Sequence, residues 1–244
     1  LNEVPQLSAD AVVAALRAVS PAPDSKRVAD LQRFFKTEPG GYGEGDRFLG
    51  PTVPQTREIA KQFRDLPLDQ LDLLLDSQWH EVRLTALHII VGQFRRAKTK
   101  ALREELFNFY LDAALRGRVN NWDLVDTSAP TFGQWLVEQP NDDLLATLAG
   151  SRALWERRLA IMLTFAHIRG KQFNVSLRIA KLLISDEHDL IHKAVGWMLR
   201  EAGNREISVL RTFLAENQKK MPRTMLRYSI EKLDPAERAK WMAK

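Results

Sequence analysis

The sequence predicts an all-α protein, an α-α superhelix (solenoid) of stacked helix pairs with a concave groove. Three observations carry this. Most segments keep apolar residues at helical spacing, none alternates apolar and polar residues long enough for a strand, and a weak repeat recurs along the chain. With 244 residues, 45% hydrophobic and 27% charged, the chain can bury a substantial core. It is expected to form a single domain, 1–244.

Val12, Val13, Leu16 and Val19 line one face of a first helix, which Pro21 and Pro23 end. Pro39, Gly40 and Gly41, then Pro51 and Pro54, break the chain before the next helices. Leu71, Leu74 and Leu75 mark a helix after Pro67; Leu102, Leu106, Phe109 and Tyr110 mark another that stops before Gly117. The runs LRIAKLLI (177–184) and ISVLRTFL (207–214) continue the pattern between Gly170 and the C-terminus.

SQWHEVRLTAL (77–87), RALWERRLAIM (152–162) and HDLIHKAVGWM (188–198) each place a bulky apolar residue, a basic residue and Ala in that order. Trp79 and Trp155 are 76 residues apart, two periods of about 38. A period of that size made of two helices suits HEAT or armadillo-type repeats, in which each pair buries its face only against its neighbours. The phase predicts that Arg83, Arg158 and Lys193 recur along one surface.

Zero cysteines exclude disulfides, Fe–S clusters and thiolate zinc sites, and suit a reducing cytoplasm. No apolar run nears the roughly 20 residues that span a bilayer, and no secretory signal is visible. The net charge of +5 is uneven: residues 1–150 carry 17 Lys and Arg against 21 Asp and Glu, residues 151–244 carry 19 against 10. A basic half of this kind is a candidate polyanion-binding surface, or a solvated helical surface with an excess of one sign.

The stretch NNWDLVD (120–126) departs from the amphipathic pattern. In a helix Trp122 and Asp126 share a face at i and i+4, and Asp123 points elsewhere. Asp123 reads as an N-terminal cap or first-turn acid, and Asn120 and Asn121 as caps of the same helix. Asp126 beside an indole is partly desolvated, which calls for a compensating cation, a helix terminus or an electron-poor group.

NNWDLVDTSAPTF, LWERRLAIM, HKAVGWMLRE and MPRTMLRYSIEKL, with YGEGDRFLGPTVPQTR near the N-terminus, closely resemble the AlkD-type DNA alkylation repair proteins. Those are HEAT-like-repeat DNA glycosylases that remove N3- and N7-alkylated purines. The likeness covers nearly the whole chain, and its most specific strings are W-D-x-V-D and K-A-x-G-W-x-L-R-E. It implies that Asp126 is the catalytic carboxylate and that Trp122 and Trp197 are the indoles that cradle the damaged nucleotide's sugar. It implies further that Arg158 contacts DNA backbone, with Arg200 three residues past Trp197, and that Tyr42 closes the groove. Arg57 and Lys193 complete the expected DNA contacts. Two features depart from the family pattern: the spacing from Tyr42 to Phe48-Leu49-Gly50 is about one residue short, and Pro51-Thr52-Val53-Pro54 replaces a polar contact.

An N3- or N7-alkyl purine already carries positive charge, so the base leaves neutral and needs no general acid. The sugar left behind is oxocarbenium-like. Asp126 can face that cation and orient or deprotonate water, and two indoles can offer it π faces. One carboxylate is then enough, unlike the pair that flanks the bond in sugar hydrolases. A lyase would need an amine, and no Lys lies between Lys100 and Lys171, so a monofunctional enzyme is expected. The resemblance implies that the lesion stays largely stacked, where most such enzymes flip the base. The expected partner is duplex DNA bound through its phosphates by a monomer in the cytoplasm, of bacterial type and acting at the nucleoid, with no cofactor, metal or membrane.

His188 and His192, at i and i+4, resemble half a metal site but lack a third ligand. Trp79, Trp135 and Trp155 read as packing residues, and 98–100 and 219–220 as solvated surface. The Gly-rich stretch 40–45 follows no strand and reads as a flexible connection that carries Tyr42. The rival to a glycosylase is a catalytically silent HEAT-like scaffold that binds DNA or protein.

Overall fold

The computed structural model describes residues 7–243, and every named element among them is helical, as the periodicity predicts. The chain forms two compact units, the first ending at Ser128 and the second beginning at Ala129.

In the first unit, α1 (Ala9–Val19), α2 (Lys26–Phe34) and α3 (Val53–Gln62) start on side-chain caps from Ser8, Ser25 and Thr52. At α3 the cap is reciprocal: Thr52 accepts from Gln55 N while the Gln55 side chain accepts from Thr52 N. α4 (Leu68–Leu75), α5 (His80–Arg96) and α6 (Lys100–Leu115) follow, and α7 (Trp122–Glu138) begins in this unit and continues past Ser128. α1 packs on α3 and α4, and both of these pack on α5, which also meets α6. Leu71, Leu74, Leu75, Leu87, Ile89, Ile90 and Phe94 form the core of this unit. Phe109 does not join them: Leu106, Phe107, Tyr110, Ala113 and Ala114 are the buried side chains of α6.

The second unit holds α8 (Asp142–Ala149), α9 (Leu154–Leu163), α10 (Phe165–Arg169), α11 (Phe173–Leu182), α12 (Asp189–Arg205), α13 (Ile207–Asn217), α14 (Arg223–Ser229) and α15 (Pro235–Met242). α8 packs on α9, and α12 is central, touching α9, α13 and α14. Its approach to α14 depends on Gly196, where a Cβ would lie 2.5 Å from Tyr228 Cβ and 2.6 Å from Met225 O.

A short loop motif repeats ahead of three of these helices. Ser77, Ser151 and Asp186 each accept, through the side chain, the N–H two residues on, at Trp79, Ala153 and His188. The carbonyl of each then meets the side chain six residues on, at Arg83, Arg157 and His192. Each helix begins three residues after the motif residue. The repeat is therefore real, but its register corrects the predicted one. Arg83 matches Arg157 and His192, and only Arg158 and Lys193 share a phase. Arg83 does not line an open surface, because it is buried and spends its guanidinium on Ser77 O and Asp46.

The same motif explains the two histidines that resemble half a metal site. His188 caps α12, its Nδ1 accepting from Leu190 N, while His192 Nε2 meets Asp186 O. Among the described residues no group of three or more His, Cys, Asp or Glu is placed to hold a metal ion, and no helix is long and apolar enough to cross a membrane. Trp135 is buried, as a packing residue should be, while Trp79 and Trp155 are only half-buried.

Candidate active site

The start of α7 is fixed by a buried polar network on the loop ahead of α3. Asp46, in that loop, pairs with Arg83, takes 3.0 Å contacts from His80 Nδ1 and Asn121 Nδ2, and is itself buried. The other ring nitrogen of His80 lies 2.8 Å from Asp123 Oδ2. Burial pushes the His80 pKa down, but hydrogen bonds and charge from Asp123 and Asp46 more than offset this and raise it to about 9. His80 is thus an imidazolium near neutral pH, and both ring N–H groups donate. Burial also works against ionised Asp46, yet His80, Arg83 and Asn121 together hold its carboxyl below the usual range.

One residue along, Glu81 receives the N–H groups of Leu49 and Gly50, each at 2.9 Å. Gly50 has φ +94°, and a Cβ there would lie 2.8 Å from the Pro21 ring, so the turn admits only glycine without strain. Asp46, His80, Glu81 and Arg83 therefore form a charged core that binds loop 46–50 to the first turn of α5.

Aromatic packing continues this clamp to Trp122. Phe48 stacks on His80 at 4.8 Å, Phe35 stacks on Phe48 at 5.0 Å, and the Trp122 indole lies on Phe35 at 5.4 Å and 12°. Phe34 meets the indole edge-on at 5.9 Å. The Trp122 backbone N–H goes to Asn121 Oδ1, so Asn121 caps α7 with one end and holds Asp46 with the other. Asp123 is more than the local cap that its position suggests. Its Oδ1 accepts from Leu124 N, but its Oδ2 belongs to the His80 network.

Asp126 stands one turn beyond Trp122 on α7 and is half-buried. Its charge reaches the buried Tyr110 phenol, whose pKa burial raises; the Ser128 hydrogen bond opposes that rise and Asp126 adds to it. Tyr110 Oη in turn lies 2.9 Å from Ser128 Oγ, which donates to Leu124 O.

Tyr42 is held, not loose. Its hydroxyl donates to Phe34 O at 3.0 Å, and the Lys36 ammonium lies 5.7 Å from its ring. The loop around it closes by Gly43 N to Lys36 O and Asp46 N to Gly43 O, which corrects the expectation of a flexible connection. Tyr42 and Trp122 thereby share Phe34 as a neighbour. Arg57 is an exposed residue of α3.

In the second unit, Lys193, Trp197 and Arg200 project from α12 at i, i+4 and i+7. Trp197 is half-buried and meets the Phe165 ring at 6.1 Å. Arg169 and Arg205 lie over that same ring, at 4.4 and 5.6 Å. Lys193 pairs with Asp189 at 2.7 Å, and Arg200 pairs with Glu231. Burial alone would raise the Asp189 pKa, but Lys193 and the Thr224 hydroxyl hold it below the usual range. These acids line one open cleft with Lys193, Arg227 and Tyr228. Arg158 is only 5% exposed and donates to Leu190 O at 2.6 Å, tying α9 to α12.

The residues that sequence reasoning missed are Asp46, His80, Glu81 and Asn121 in its second role. Each is a polar residue at a helix start or in a loop, and each acts on a partner at least 31 residues away. No local spacing signals such a pairing.

A sequence model of the family described as DNA alkylation repair enzyme matches residues 13–233. Among solved structures, the chain is similar to a predicted DNA alkylation repair enzyme from Enterococcus faecalis, at 18% identity and a TM-score of 0.69, covering 89% of this chain and 99% of that one. No curated protein matches. That structural likeness bears on the fold, and the family match spans most of the sequence. The chain belongs to the DNA alkylation repair enzyme family.

Proposed function

We propose that the protein is a monofunctional DNA glycosylase that hydrolyses the N-glycosidic bond of N3- and N7-alkylated purines in duplex DNA, with Asp126 as its catalytic carboxylate. The observation that carries this reading is the pairing of Asp126 with Trp122 on the first turns of α7. The indole there is immobilised by Phe35 and Phe34, and the helix start is clamped through Asp123. A preorganised carboxylate stabilises a developing cation without reorganising during the reaction. The alkylated base leaves neutral, so the chain needs to supply no proton to it.

In this reading Trp122 presents a π face to the sugar, and Asp126 opposes the developing charge and orients water. Trp197 enters by family resemblance alone. Arg57, Tyr42, Lys193, Arg200 and Arg158 are the proposed DNA contacts, and Arg158 is the most enclosed of them. Lys193 and Arg200 already sit in part-exposed ion pairs worth at most about 1 kcal/mol each, so a phosphate can displace their carboxylates. The lesion would stay largely stacked, and the enzyme would act as a cytoplasmic monomer.

The test is release of free base from duplex DNA containing 7-methylguanine. Wild-type release that Asp126→Asn lowers by about 100-fold or more, with duplex binding retained, supports the proposal. No release from any N3- or N7-alkyl duplex would instead favour a DNA-binding scaffold.

A further inference from the structure

The face of α12 that carries Trp197 is met by α14, and α14 brings to it two side chains that have no role so far. Gly196 has no side chain, and Tyr228 Cβ stands 2.5 Å from where a Cβ would be. Tyr228 therefore springs directly from the α12 backbone contact, one residue before Trp197. Lys193 and Arg200 lie three residues before Gly196 and four after it on the same helical face, so the tyrosine is rooted between them. Arg227, Tyr228 and Thr224 then line one open cleft with Asp189, Lys193 and Glu231.

The charges of this cleft do not all cancel. Lys193 holds Asp189 at 2.7 Å, and the Thr224 hydroxyl donates to the same carboxylate. Arg200 holds Glu231, with the Lys232 ammonium 3.7 Å from its other oxygen. Arg227 pairs with neither acid: its guanidinium is exposed, and among the described residues it makes only a long contact, 3.5 Å, to Thr224 Oγ1. The Tyr228 ring is half-buried, and its hydroxyl has no hydrogen-bond partner among the described residues. A cation without a counter-charge and a phenol without a partner thus open onto the same space beside Trp197.

One ligand answers both, an oxyanion that accepts from the guanidinium and from the phenol. We propose that Arg227 and Tyr228 are DNA-contacting residues that together hold a backbone phosphate beside Trp197, Arg227 supplying the charge and Tyr228 a neutral donor. This rests on the reading of the chain as a duplex-DNA enzyme. The two differ from Lys193 and Arg200, because a phosphate that binds them displaces no carboxylate. Packing against Gly196 also fixes the root of Tyr228 before the ligand arrives, which lowers the ordering cost of the contact.

The experiment measures binding of the full chain to an unmodified duplex of about 12 bp by fluorescence anisotropy, from about 50 to 200 mM salt. Arg227→Gln should weaken binding about five- to ten-fold at the low end and reduce the salt slope by about one. Tyr228→Phe keeps the ring on Gly196 and removes only the oxygen. It should weaken binding about three- to five-fold with the wild-type salt slope, because no charge is lost. Both variants should keep the wild-type Tm, and Lys240→Gln, which removes an exposed cation of α15, should change neither affinity nor slope. A loss in one variant alone overturns the role given to the other residue. A loss in Tyr228→Phe that comes with a matching drop in Tm makes it a packing residue and overturns its role. An equal loss in Lys240→Gln reduces Arg227 to general surface charge and overturns its role. Wild-type affinity in both variants overturns the proposal and leaves the DNA reading standing, whereas a wild type that binds no duplex removes both.

Discussion

Asp123 Oδ2 lies 2.8 Å from His80 Nε2, so the residue between Trp122 and the body of α7 is fastened to the first residue of α5. The opposite side of the imidazole is fastened to Asp46, and the ring itself lies under Phe48. One protonated side chain thus couples two buried or part-buried carboxylates and the stack that carries Trp122. Most of what can be tested in the first unit follows from that arrangement.

Replacing His80 by Ala should leave Asp46 and Asp123 without their shared cation. Breaking a buried pair from one side costs about 3–5 kcal/mol, and a urea denaturation midpoint is the direct readout. Stability unchanged within about 0.5 kcal/mol would mean that the network contributes nothing.

Stability should also depend on pH in a defined direction. The folded-state pKa of His80, about 9, exceeds its ordinary value of 6.5. The stabilisation is therefore fully present below about pH 6.5 and is lost as pH rises through about 9, amounting to about 3 kcal/mol. Urea midpoints measured from about pH 6 to 10 should fall in the wild type and stay flatter in His80→Asn. At the acid end His88, held down to about 4, acts in the opposite sense: its contribution is present above pH 6.5 and is lost as pH falls toward 4.

Trp122 should separate packing from chemistry. Trp122→Ala removes the indole from Phe35 and Phe34 and should cost about 2–4 kcal/mol. Trp122→Phe keeps a ring on the stack and should recover most of that stability. If the indole also faces the sugar, base release by Trp122→Phe should still fall, by about ten-fold, at unchanged duplex affinity. Full activity in this variant would confine Trp122 to a packing role.

Gly196→Ala tests how close α12 and α14 must come. The added methyl meets Tyr228 Cβ and the Met225 carbonyl, the second of which is backbone and does not yield. The expected loss is about 1–3 kcal/mol, seen as a lower Tm. An unchanged Tm would show that α14 can retreat at little energetic cost.

Duplex binding should weaken steeply with salt, since the proposed contacts are to phosphates. Affinity that stays constant between about 50 and 200 mM salt would contradict phosphate-dominated binding.

The all-α class, the approximate repeat and the placing of Trp122 and Asp126 on one helical face were determined by the sequence itself, because each rests on local spacing. Apolar residues every three or four positions make a helix wherever they occur, and Trp122 and Asp126 share a face by helical geometry alone. Family membership was legible too, in strings such as W-D-x-V-D. Tertiary structure decided everything that joins distant segments. Only the folded chain shows that Arg83 is buried against Asp46, that Arg157 and not Arg158 repeats it, and that Asp123 answers to His80 43 residues earlier. It also decided which basic residues are already spent: Arg158 on a carbonyl, Lys193 and Arg200 on acids. The physical reason is the same throughout. Helical periodicity is a property of neighbours in sequence, whereas the partner of a buried charge is set by which helices pack, and that is written nowhere near the charge itself.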